Sequence, residues 1–199
     1  MNEKPSRIFV RQTIHNEYTV RLSREITEAD DFDDEFNVLS AAGRDDTIKF
    51  LIVSPGGRLD TCNLLTRAIR ETEALTVASI GSECSSAATA IALACDEWEI
   101  DDNSSFMIHT ASFGVVGKAP ELEVEVAHRL RKIRRWVEST YAGFLSPEEI
   151  ENVIGGKDYW FDGEELAERL GAYAEHRAAQ HQRYEQEAQE WVDTEEDEA

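Results

Sequence analysis

The sequence predicts an α/β fold built from strand–helix crossover units, and three observations lead there. Short apolar runs suited to buried strands alternate with stretches whose apolar residues recur at helical spacing. The breaks between them are short and marked by glycine, as at Ser54-Pro55-Gly56-Gly57 and at Gly81. The chain of 199 residues is long enough for one domain with a sizeable core, and no apolar run reaches bilayer length.

The elements follow in order. Ile8-Phe9-Val10, Thr13-Ile14 and Tyr18 to Leu22, with a turn at His15-Asn16-Glu17, predict a hairpin or two short strands within residues 1–24. From Glu25 to Ala42 the apolar positions Ile26, Ala29, Phe32, Phe36 and Leu39 predict a helix at least in the second half. Gly43 ends it, and the acidic run from Asp30 to Glu35 forms its solvated start. Ile48 to Val53 reads as a strand buried on both faces. A helix over Asn63 to Thr72 follows, with Leu64, Leu65, Ala68 and Ile69 on one face. Leu75 to Ile80 is the next strand, Ser86 to about Cys95 a small-residue helix, and Phe106 to His109 a further strand. A long helix from about Pro120 to Phe144 carries Leu122, Val126, Leu130, Ile133 and Val137 along one side. Ser146-Pro147-Glu148-Glu149 starts another helix with an N-cap, an N1 proline and an acidic first turn. Asp158 to Phe161 is extended, and a last core helix ends at Leu170-Gly171. Residues 174–199 read as an exposed acidic helix fading into a disordered tail.

A net charge of −21 argues against binding a phosphate backbone. The basic cluster Arg129, Arg131, Lys132, Arg134 and Arg135 is read as a solvated or ion-paired helix side, with nucleic-acid binding as the lesser alternative. A mimic that offers its acidity to a DNA-binding protein is a further alternative, set against the well-patterned core. Cys62, Cys84 and Cys95 lack metal-ligand spacing and read as reduced buried thiols. With a polar start from Met1 to Arg7 that does not resemble a signal peptide, a cytoplasmic, membrane-free protein is expected.

The chemistry points to Ile80 through Ala94. A buried strand ends there in small residues and turns into a helix, which holds a serine away from the sheet beside outward backbone N–H groups. Ser85 is the expected nucleophile, with Ser86 a second candidate; either could instead merely cap the helix. A nucleophilic serine needs a base. Of the five histidines, only His109 stands at the end of a buried strand.

Val53-Ser54-Pro55-Gly56-Gly57, Gly81-x-x-x-Ser85, Met107-Ile108-His109 and Gly117-Lys118-Ala119-Pro120-Glu121-Leu122-Glu123 occur in order. In this the chain resembles the ClpP family of serine peptidases, the proteolytic subunits of ATP-dependent Clp proteases, over about residues 26–173. The resemblance implies the ClpP/crotonase-like spiral of ββα units with a protruding handle helix, and a peptidase domain spanning residues 25–173. It implies Ser85 as nucleophile, His109 as base and Asp158 as acid, with Asp162 and Glu164 as rival acids. It also implies an oxyanion hole from the backbone of Gly56, Gly57 and Ser86, and a peptide-binding loop at Phe113, Gly114 and Val115. No cofactor is implied in this chain, with ATP entering only through a possible AAA+ unfoldase. The partners implied are further copies in stacked rings and a peptide or unfolded-protein substrate. Glu83 and Cys84 beside the serine depart from the family pattern, and Glu83 would alter substrate choice if it faced the pocket. Alternative readings are a phage head-maturation-type protease, a catalytically silent ClpP-like scaffold, or a crotonase-like acyl-CoA enzyme.

Overall fold

Residues 14–197 are described in a computed structural model of the chain, with side chains described to residue 189. The expected strand at Ile8-Phe9-Val10 lies outside them. β1 (Glu17–Leu22), β2 (Thr47–Ser54) and β3 (Leu75–Ser85) run parallel and adjacent, with Ile48 opposite Tyr18 and Thr76. β3 is the hub. Its first half pairs in parallel with β4 (Glu97–Ile100), and its last residues pair in parallel with β5 (Phe106–Ile108). β6 (Tyr159–Phe161) closes this side antiparallel to β5, a departure from simple crossover units.

The helices are a short 3₁₀ turn (Ala29–Phe32), α1 (Asp33–Ala41), α2 (Leu59–Glu71), α3 (Ala87–Ala94), α4 (Ala119–Tyr141), α5 (Pro147–Ile154) and α6 (Gly163–Asp197). Every residue of α3 is buried. Its alanine-rich sequence lets it sit close against the sheet, where Ile48, Phe50, Ile52, Ile80, Phe106 and Ile108 build the core.

Three expectations are corrected. β2 is deeply buried on one face only: Ile48, Phe50 and Ile52 are covered, Lys49 and Leu51 are half-buried, and Val53 is exposed. α2 begins four residues earlier than its apolar pattern suggests, which adds Leu59 and Cys62 to the stripe; Cys62, Leu65 and Ile69 turn inward and Leu64 is left 49 % exposed. The helix after β6 does not stop at Leu170-Gly171 but continues to Asp197. Past the core residues Leu166 and Leu170 it stays docked through Tyr173, whose hydroxyl donates to Leu93 O at 3.2 Å. One turn further, Arg177 donates to Cys95 O and pairs with Asp96. α5 begins as its sequence prescribes: Ser146 Oγ accepts the Glu149 N–H, and the Glu149 carboxylate accepts the Ser146 N–H.

Candidate active site

β3 does not end at Ile80. It runs on to Ser85, and pairing with β2 jumps from Ile52 opposite Ile80 to Ser54 opposite Cys84. β2 therefore advances two residues where β3 advances four, and the surplus is absorbed around Gly81 to Glu83. Cys84 and Ser85 then pair with Phe106 and Met107, and the Ser86 N–H donates to Met107 O at 2.8 Å. This ladder carries His109, the first residue past β5, alongside the turn.

The residue at the turn is Ser86. Its backbone sits at φ 57° and ψ −127°, the one non-glycine positive φ among the described residues. As N-cap of α3 it would ordinarily hydrogen-bond a helix N–H through its hydroxyl, and it does not. The hydroxyl lies instead 2.7 Å from Nε2 of His109. Ser85 is in the strand and 4 % exposed. Of the two serines the sequence offers, the structure brings Ser86 and not the expected Ser85 to His109. Counting four residues from Gly81 stops at Ser85, the last residue of the strand, because the irregular stretch of β3 lengthens the path to the turn.

The glycine turn lies against the serine turn. Gly56 has φ 90°, and a Cβ there would come within 2.6 Å of Ser85 O, 2.7 Å of Ser86 Cβ and 2.8 Å of Ala87 N. Glycine is required both for the conformation and for the approach. Gly57 bridges Ile26: the Ile26 N–H donates to Gly56 O and the Arg58 N–H to Ile26 O, each at 2.8 Å. Two of the three expected oxyanion N–H groups already have acceptors. The Ser86 N–H is bound to Met107 O, and the Gly56 N–H donates to Ser54 Oγ at 3.2 Å. Among the described residues, the N–H groups of Gly57 and Ala87 meet no acceptor. Cys62 packs beneath, its thiol donating to Ala87 O at 3.2 Å, and burial pushes that thiol up to about 12.

The β5–β6 register pairs Ile108 with Tyr159 and, one step further, brings position 109 opposite position 158. Asp158 is exposed, and among the described residues no hydrogen bond joins it to His109. Asp162, just before α6, and Glu164, in its first turn, make no such bond either.

Ser86 and His109 open onto a cleft of about 820 Å³ between the glycine turn and α4. Its far wall is Ile133 and Trp136, with the Trp136 indole N–H donating to Asn63 Oδ1 at 2.8 Å. Of the expected binding loop, Phe113 lines the cleft beneath the Arg129 guanidinium, 5.7 Å from its ring centroid. Gly114 and Val115 do not line it. Glu83 is exposed and away from the lining. Three of the five basic residues of α4 are ion-paired within the chain: Arg129 with Glu125, Lys132 with Asp60, Arg134 with Glu138 and Glu151.

Sequence reasoning singled out neither the unpartnered N–H of Ala87 nor the wall made by Asn63 and Trp136. Ala87 follows from the turn once the serine is placed one residue later. The Asn63–Trp136 contact spans two helices far apart in sequence, and no local pattern announces it.

Compared with known protein families, the chain matches the family described as Clp protease over residues 3–171. No curated protein matches it.

Proposed function

Because the chain belongs to the Clp protease family, we propose that it is a serine endopeptidase with Ser86 as nucleophile and His109 as general base. Nε2 takes the Ser86 proton as Oγ attacks the scissile carbonyl, and returns it to the leaving amine when the acyl-enzyme forms. A water then repeats the sequence and releases the acid. The free N–H groups of Gly57 and Ala87 are the donors suited to the developing oxyanion. Asp158 is the acid best placed by register to reach Nδ1 of His109. The chemistry is carried by protein groups, with ATP used only by a partner unfoldase.

The observation that carries this reading is the N-cap hydroxyl of Ser86 turned away from its helix onto Nε2 of His109, 2.7 Å away. Exposed Val116, Val124 and Leu130 on the loop and face of α4 support packing against further copies in rings around an enclosed chamber. A catalytically silent scaffold is the second reading, favoured by the absence of a His109–Asp158 hydrogen bond.

Hydrolysis of a fluorogenic peptide by the native assembly tests the proposal. S86A and H109A should each lower kcat by about 10³-fold or more, and S85A should leave it unchanged. An inactive wild type that is correctly assembled would establish the scaffold instead.

A further inference from the structure

The peptide unit between Ser86 and Ala87 has two ends, and the proposed mechanism uses one. Its N–H, on Ala87, meets no acceptor among the described residues and is the one the proposed mechanism assigns to the oxyanion. Its C=O, on Ser86, is held inside the protein. The Thr89 hydroxyl donates to Ser86 O at 2.6 Å, and the Thr89 N–H donates to the same oxygen at 3.0 Å. The single hydroxyl proton of Thr89 is thereby committed, so the 2.8 Å contact between Thr89 Oγ1 and the Tyr141 hydroxyl has Tyr141 as donor. Thr89 and Tyr141 are both 0 % exposed. Burial pushes the Tyr141 phenol up, which keeps it protonated and donating.

We propose that Thr89 and Tyr141 are positioning residues for the oxyanion hole: the relay from Tyr141 to Thr89 to Ser86 O fixes the Ser86–Ala87 peptide plane, and so aims the Ala87 N–H at the cleft. Two physical consequences follow. The plane cannot rotate about its flanking bonds without breaking two hydrogen bonds to one oxygen, and this matters at a residue already held at φ 57°. A carbonyl that accepts from a chain of donors also polarises its own peptide unit, which strengthens the opposite N–H as a donor. Tyr141 is the last residue of α4, 52 positions from Thr89, so the relay ties the cleft's helix wall to the nucleophile turn. Trp136, in the cleft wall, meets the Tyr141 ring edge-on at 5.7 Å and lies on the same tie.

The inference rests on the serine-peptidase reading, and its test separates the two. Y141F and T89S are compared with T89V for peptide hydrolysis, for thermal unfolding, and for affinity toward a peptidyl boronic acid, which forms a tetrahedral anion at the serine. T89V is expected to lower kcat about tenfold or more with KM unchanged, and to weaken the boronic acid by a similar factor. Y141F should show a smaller loss of the same kind, and T89S, which keeps the hydroxyl, should restore wild-type values. A merely structural role would lower the unfolding temperature without this kcat-against-KM split and without rescue by serine. If wild type binds the boronate and hydrolyses peptide while T89V and Y141F match it, the positioning role is overturned and the peptidase reading stands. If T89V does not fold, Y141F, which removes one oxygen only, decides by the same comparison. A wild type that neither hydrolyses peptide nor binds the boronate overturns both.

Discussion

Replacing Gly56 by alanine tests how closely the glycine turn and the serine turn are fitted. The added Cβ would stand 2.6 Å from Ser85 O, 2.7 Å from Ser86 Cβ and 2.8 Å from Ala87 N, all nearer than a carbon tolerates, and two of the three are backbone atoms. The backbone also sits at φ 90°, where a side chain costs about 1–2 kcal/mol. Relieving the contacts in a packed turn adds about 1–3 kcal/mol. The total, about 2–5 kcal/mol, appears either as lost stability or as displacement of Ser86 from His109. Denaturant unfolding reads the first, and the rate of fluorophosphonate labelling reads the second. A displacement approaching 1 Å should cost about 10²-fold in rate. If G56A keeps both wild-type stability and wild-type labelling, the turn is not packed as described.

Asp158 stands opposite His109 by register, so D158N should lower kcat by about 10²-fold or more, while D162N should not; equal effects would remove Asp158 as the acid. The Arg169 guanidinium, donating to Glu149 at 2.8 and 3.1 Å, holds that carboxyl at about 2 rather than its ordinary 4.5. Because the folded value is the lower one, the stabilisation is fully present above about pH 4.5 and is lost as the pH falls toward 2. Allowing for solvent screening it amounts to about 1–2 kcal/mol. Unfolding curves of wild type and E149Q should therefore converge between those values, and parallel curves would contradict the pairing.

Much of the fold was legible because its signals are local. The apolar runs at Ile48 and Leu75, the capping box at Ser146 and Glu149, and the alanine-rich α3 each announce their element within a few residues. His109 was legible for the same reason, as the one histidine ending a buried strand. The choice between Ser85 and Ser86 was not, since it depends on how β3 pairs with two different neighbours around Gly81 to Glu83. Spacing along one strand carries no record of an irregularity that only the partner strand defines. The proposed oxyanion donors differ from the expected ones for the same reason, because one of them is the N–H that follows the proposed nucleophile. The inward face of α2 was misjudged because Leu64 and Leu65 are equally apolar, and only the earlier turn with Leu59 and Cys62 places the buried stripe on the Leu65 side. The tie of Thr89 to Tyr141 joins residues with no shared local pattern.

The most direct test of the account is to find which serine reacts. The native protein is treated with a fluorophosphonate, digested, and the adduct located by fragment-ion mass spectrometry, with S85A and S86A as controls. The account predicts the adduct on Ser86, retained in S85A and absent in S86A. An adduct on Ser85 that survives S86A would contradict it.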